Sequence, residues 1–281
     1  MVKTPEGYRR MDSGPAILIV KEEYTRPLLD LGITEPETFI TGHPDTEDHA
    51  TGRGTVLSVP LGDRTGTRVM VRKYLRGGLV RWVNKELFFG NKRPFHELLI
   101  GTEAVRRGIP TALPLAAVSI RVAVSFFRCY LITRELTNCI DLPRYLKDLR
   151  DNSIPNAGRK KERVLVKTAE TVKTMHDQGL LHADLNMKNI LVDKTDAEKI
   201  YIIDWDKSLL RNGLNPAERS ANIIRFCRSM VKLAQNNVPV SEKDPALFLE
   251  SYWKDSAKVS ADLKKLEKTV RRRKTAWKVL R

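Results

Sequence analysis

Two hydrophobic periods run along this chain, and one gives way to the other near residue 137. Up to that point the apolar residues come in short alternating or β-branched runs. T-V-L-S-V-P and R-V-M-V-R-K flank a turn at Gly62 to Gly66, and Ala112 to Ile120 and Val122 to Thr133 follow. A period of two marks half-buried strands, and a glycine turn between two such runs marks a hairpin. One helix interrupts them, opening at Pro94 and stopping at Gly108, with Leu98, Ala104 and Val105 apolar.

Beyond residue 137 the spacing lengthens to three and four. Leu142 to Leu149 is one helical stretch, and Arg159 to Gln178 is a second, carrying Val164, Leu165, Thr168, Val172 and Met175. N-P-A-E opens a third with Ile223, Phe226, Met230 and Leu233, and further helices cover Pro245 to Trp253 and Ser260 to Arg281. The pattern predicts an α+β protein, with a small antiparallel sheet over residues 51–136 and a mainly helical part over 137–281. Residues 1–50 are rich in Gly, Pro and Thr, with a strand candidate at Ile17 to Val20 and an amphipathic segment at Tyr24 to Leu31. They read as an N-terminal extension.

Composition changes this picture in several places. A chain of 281 residues that is 41% hydrophobic can bury one large core or two lobes. Three cysteines without C-x-x-C spacing indicate neither a disulfide framework nor a zinc site. No apolar run approaches the roughly 20 residues of a membrane span, and the first residues lack a signal-peptide core. The expectation is a protein that is soluble or held at a surface from the cytoplasmic side. The formal charge of +16 asks for an acidic partner: nucleic acid, anionic lipid or a polyanionic substrate. The stretch from Ser260 sets many Lys and Arg against Asp262 and Glu267 and ends near Trp277. It is either a basic helix lying on an anionic membrane or a packed helix with a solvated face.

The chemistry concentrates between Leu181 and Lys207, which reads L-H-A-D-L-N-M-K-N-I-L-V-D, a spacer, then I-Y-I-I-D-W-D-K. Two apolar runs, Ile190 to Val192 and Ile200 to Ile203, predict a hairpin with Asp184 and Asn189 before it and Asp204 at its end. Transfer of a phosphoryl group from ATP needs these types of residue. A carboxylate orients the acceptor hydroxyl and takes its proton, and hard oxygen ligands hold Mg²⁺ on the triphosphate. Asp184 is the candidate base, and Asn189 and Asp204 are the candidate metal ligands. The run resembles the H-R-D-x-x-x-x-N loop and D-F-G site of protein-kinase-like enzymes.

Residues before the loop supply the nucleotide side. Gly52 and Gly54 precede the first hairpin, where an absent Cβ lets backbone N–H groups approach phosphate. The basic residue after V-M-V is Arg72. It is favoured as the cation for the α- and β-phosphates, with Lys73 the alternative if a bulge turns the strand. Glu97 on the following helix is the candidate partner of that cation, with Glu103 in reserve. Glu135 and Leu136 mark the connection whose backbone would meet adenine. His176 is expected to satisfy backbone carbonyls or face solvent.

The runs G-R-G-T, V-R-K-Y-L-R-G-G-L-V, F-H-E-L, G-I-P, H-A-D-L-N-x-x-N-I-L-V-D and I-I-D-W-D together resemble the lipopolysaccharide core kinases, over about residues 50–235. The resemblance implies a two-lobed protein-kinase-like fold, with residues 51–136 and 137–281 as its lobes, and with ATP and Mg²⁺. It implies an acceptor hydroxyl on a lipid-linked anionic sugar, most closely a 3-deoxy-D-manno-octulosonic acid (Kdo) residue of a lipid A precursor. The setting it implies is the cytoplasmic face of the inner membrane, against an anionic surface and without nucleic acid. His182 would brace the loop, and Lys188 would reach the transferring phosphate. A heptose or another small acceptor, a protein acceptor and a non-catalytic scaffold are the alternatives. No A-P-E segment follows D-W-D, which disfavours a protein acceptor.

Overall fold

In the computed structural model the runs of period two join in one antiparallel sheet. Residues 3–36, 56–63, 65–75 and 86–279 are described, with side chains as far as Arg271 in the last helix. Among the described residues seven strands make up the sheet: β1 (Tyr8–Ser13), β2 (Ala16–Lys21), β3 (Val56–Pro60), β4 (Arg68–Lys73), β5 (Phe88–Phe89), β6 (Pro114–Ala123) and β7 (Phe126–Arg134). Their spatial order is β1-β2-β6-β7-β4-β3, with β5 added to β7.

Each face of the sheet has its own cover. Leu18, Val20, Val59, Val69, Val71, Val118 and Ile132 pack on one side with Leu28 of α1 (Thr25–Asp30) and Ile33. Ile19, Tyr74, Ala117, Phe127 and Leu131 pack on the other with Phe95 and Leu98 of α2 (Lys92–Arg106). For the described residues 3–36 this corrects the reading of the first 50 residues as an extension. β2 is hydrogen-bonded to β6 from Ala16↔Ile120 to Val20↔Ala116, so residues 3–36 belong to the sheet and cap one face of it. The run A-I-L-I-V has apolar side chains on both faces because both faces of an interior strand are covered.

The chain divides into two compact units. Met1–Arg106, Ala112–Leu136 and Trp205–Lys207 form the first, and Arg107–Thr111, Thr137–Asp204 and Ser208–Arg281 form the second. In the second unit β8 (Cys139–Asp141) runs into α3 (Leu142–Asp151), whose N-terminus Asp141 caps by accepting from the Arg144 N–H at 2.9 Å. α4 (Ala157–Asp177) and β9 (Leu180–Leu181) follow, then β10 (Ile190–Asp193), β11 (Ile200–Ile202) and β12 (Leu209–Leu210). The hairpin expected from the two apolar runs is present, with Ile190 opposite Ile202. β8 pairs with the outer side of β10.

α5 (Pro216–Ala234) begins at a capping box between Asn215 and Glu218, and α6 (Asp244–Trp253) and α7 (Ser256–Val279) complete the unit. The apolar side of α7 is occupied as far as Leu266: Val259 and Leu266 are buried. Buried Asp262 accepts from Ser220 Oγ of α5, Trp253 Nε1 of α6 and Lys265 Nζ. For this part of the helix the packed reading holds.

Candidate active site

The loop after β9 is fixed at nearly every residue. Just before β9, Gly179 has φ +78°, and a Cβ there would lie 2.2 Å from the carbonyl oxygen of Arg211, so only glycine fits. The Ala183 N–H donates to buried Ser208 Oγ at 3.1 Å. The Asp184 N–H donates to His182 Nδ1 at 3.2 Å, which places the imidazole proton on Nε2, where it reaches the carbonyl of Ile203 at 3.0 Å. His182 is fully buried, and burial pushes its pKa below the ordinary value. A neutral imidazole therefore joins Asp184 to the residue before Asp204.

The side chain of Asp184 is exposed and accepts from Asn186 Nδ2 at 3.2 Å and from Arg225 Nη1 at 3.0 Å. Asn189 Nδ2 donates to the Asp184 carbonyl at 2.9 Å, which orients the amide and leaves Oδ1 as the atom it could offer a cation. Its backbone carbonyl accepts from the Ile203 N–H at 3.0 Å, placing Asn189 and Asp204 next to each other across the hairpin. Asp204 has φ +67°, a left-handed conformation that costs energy in a non-glycine residue and clusters at functional sites. A carboxylate and an amide oxygen form a small, hard donor set. That suits a cation which keeps waters and takes its remaining ligands from phosphates, as Mg²⁺ does. No cluster of three or more His, Cys, Asp or Glu able to hold a metal occurs among the described residues. Lys188 is exposed at the rim of the same loop.

One set of residues escaped the sequence reading. Along α5, Asn222 Nδ2 donates to the carbonyl of His182 at 2.7 Å, Arg225 meets Asp184, and Ser229 Oγ accepts from the Met187 N–H at 3.0 Å. The spacing of three and four puts all three on one helix face. A polar stripe beside the apolar one was the available signal. His176, expected to serve carbonyls or face solvent, is buried between Tyr252 Oη at 2.7 Å and Asn222 Oδ1 at 3.0 Å. Burial, partly opposed by the Asn222 hydrogen bond, pushes its pKa down to about 4.

In the first unit the strand register separates the two candidate cations. Arg72 Nη2 reaches both carboxylate oxygens of Glu97 at 2.5 Å, and the Tyr74 hydroxyl donates to the same carboxylate. Lys73 turns to the opposite face and pairs with Glu86 at 2.7 Å. Glu103, the reserve, pairs with Arg106 on its own helix. Glu97 is buried, and burial together with its charge holds the Tyr74 phenol well above its ordinary pKa, so the phenol stays a donor.

Asp206, the second aspartate of D-W-D, is gripped at both oxygens by Arg93, at 3.0 and 2.5 Å. Trp205 packs beside Gly101 of α2, where a Cβ would lie 2.8 Å from Pro114. Glu135 Oε2 accepts from Ser58 Oγ at 2.7 Å and from Arg68 Nε at 2.9 Å, and its N–H donates to the Arg68 carbonyl at 3.0 Å. Leu136 is half-buried. Gly52 and Gly54 lie outside the described residues.

The sequence profile of the Lipopolysaccharide kinase (Kdo/WaaP) family matches residues 40–252. The chain belongs to this family. Among its relatives the 3-deoxy-D-manno-octulosonic acid kinase of Pasteurella multocida is 29% identical over 209 residues, 72% of this chain and 82% of the relative. The kinase of the same name from Vibrio parahaemolyticus is 28% identical over 235 residues, 82% of this chain and 89% of the relative. The solved structure of WaaP in complex with acyl carrier protein has a TM-score of 0.57 at 16% identity, covering 89% of this chain and 98% of that one, and it supports the fold. Like other members of the lipopolysaccharide kinase family, this chain is a phosphotransferase that uses ATP and acts on a sugar hydroxyl.

Proposed function

We propose that this lipopolysaccharide kinase transfers the γ-phosphate of ATP to a hydroxyl of a Kdo residue on a lipid A precursor. The observation that carries the acceptor is that the relatives matched along most of their length are Kdo kinases. Asp184 is the base. Its carboxylate takes the proton of the acceptor hydroxyl as the new oxygen–phosphorus bond forms, and the bond from the γ-phosphorus to the bridging oxygen breaks, releasing ADP.

Lys188 takes the charge of the transferring phosphoryl group. Arg72, oriented by Glu97, takes the α- and β-phosphates, and Gly52 and Gly54 approach the triphosphate through their backbone. Adenine meets the Glu135 carbonyl and the backbone of Leu136, because the Glu135 N–H is already bonded. Asn189 and Asp204 would hold Mg²⁺, which when bound neutralises phosphate charge. An anionic acceptor suits the net charge of +16, and the enzyme works at the anionic cytoplasmic face of the inner membrane.

The test is transfer of labelled γ-phosphate to detergent-dispersed Kdo-lipid A, with heptosylated core alongside. Label enters the Kdo-lipid sample, and Asp184→Ala and Asp204→Ala lower the rate by roughly 10²-fold or more while the far-ultraviolet spectrum is unchanged. Label confined to the heptosylated core would reassign the acceptor, and near-normal turnover in Asp184→Ala would remove the base.

A further inference from the structure

The hairpin between β6 and β7 ends in an uncharged stretch, V-A-V-S-F-F, bracketed by Arg121 and Arg128. Pairing continues to Ala123↔Phe126, so the turn falls at Val124 and Ser125, beyond the break near Arg121 that the sequence suggests. β6 is buried from Pro114 to Ser119 and then emerges from the core. At the tip Val122 is 46% exposed, Val124 91% and Phe126 40%. β5 lies alongside, with Phe89 opposite Phe126 and the Gly90 N–H donating to the Ser125 carbonyl at 3.0 Å. Phe89 is 77% exposed, and its ring meets that of Phe126 edge-on at 6.2 Å.

Single exposed apolar side chains are ordinary, and a cluster is not. Four of the six large exposed hydrophobic residues among the described ones meet at this tip. The charge around it is basic. Arg121 is exposed beside the turn, and Lys92 is exposed at the start of α2, three positions after Phe89. Nearby Glu86 is paired with Lys73 and Arg128.

We propose that this tip is a membrane-docking element. Phe89, Val124 and Phe126 enter the headgroup region of an anionic bilayer while Arg121 and Lys92 stay with the lipid phosphates. Apolar and aromatic side chains of an interfacial element bury at the headgroup boundary, and basic residues next to them add attraction to an anionic leaflet. The narrowness of the tip favours lipid over a protein partner, since a stable protein interface buries about 1,000 Å² or more of complementary surface. The inference rests on the reading of a lipid-linked acceptor. It moves the main membrane contact from the basic C-terminal helix, where the sequence places one candidate, to the sheet.

The test is flotation of the full-length protein with vesicles of phosphatidylethanolamine and phosphatidylglycerol, and with phosphatidylcholine vesicles, in 0.15 M salt. The double variant Phe89→Ser/Val124→Asp binds the anionic vesicles at least about tenfold more weakly, the loss expected for two apolar side chains kept from lipid. Arg121→Glu weakens binding to the anionic vesicles only. The double variant keeps wild-type transfer to a detergent-dispersed acceptor and loses rate on the same acceptor embedded in vesicles. Binding by the double variant equal to that of the wild type would overturn the proposal. So would a wild-type dimer that the double variant splits while vesicle binding persists, since the patch would then join two copies. Failure of the acceptor reading is separate, because it appears as no transfer in detergent by the wild type.

Discussion

The two units position their functional groups by opposite electrostatic means. In the first, charge holds charge: Arg72 is chelated by Glu97, which also binds Tyr74, and Arg93 clamps Asp206. In the second, apart from the exposed Arg225–Asp184 pair, the loop that carries Asp184 hangs on a neutral buried chain, from Tyr252 to His176 to Asn222 to the carbonyl of His182. A guanidinium stays charged, and a buried charge is tolerable only with a partner at hydrogen-bond distance. A loop needs only orientation. Neutral hydrogen bonds supply that without burying a charge.

This contrast can be broken by removing its members, beginning with the largest effect. Glu97→Ala leaves Arg72 and Tyr74 without their shared acceptor and is expected to cost about 3–5 kcal/mol of unfolding free energy in urea titrations. A loss below about 1 kcal/mol would class the pair with ordinary surface ion pairs and erase the contrast.

The second experiment varies pH. With His176 at about 4 in the folded state against 6.5 unfolded, both states are neutral at this site above pH 6.5. Between 6.5 and 4 only the unfolded chain takes up the proton, so stability falls as pH drops, by about 3 kcal/mol over the window. Buried His182 acts in the same direction. His176→Gln flattens the slope between pH 6.5 and 4, and an unchanged slope would place the protonation elsewhere.

The smallest effect separates neighbours on one strand. Lys73→Ala costs about 0.5 kcal/mol, because Glu86 is 40% exposed, and leaves the ATP requirement unchanged. Arg72→Ala raises that requirement several-fold in steady-state assays. The reverse ranking would mean that the nucleotide meets the other face of the strand.

Much of the candidate site was legible because its residues are neighbours along the chain. Asp184, Asn189 and Asp204 lie close together in the chain, and the apolar runs between them dictate a hairpin that brings the last two together. The stripe Asn222, Arg225 and Ser229 was not legible. Each is an unremarked polar residue on an amphipathic helix, and its role exists only where α5 meets the loop. His176 misled for a related reason, since the last turn of a helix is usually exposed and only the arrival of Tyr252 and Asn222 makes burial there tolerable. The N-terminal strands were misjudged because pairing partners a hundred residues away leave no trace in a local window.

By itself the sequence determined the two periods, the hairpin with its polar ends, the basic charge and the resemblance to lipopolysaccharide kinases, since all of these are matters of residue type and short spacing. Tertiary structure decided which strand cation meets Glu97, which aspartate of D-W-D is tied to Arg93, where residues 3–36 belong, and which apolar side chains are left outside. Those outcomes turn on register and packing between distant segments, where a shift of one residue exchanges one face of a strand for the other.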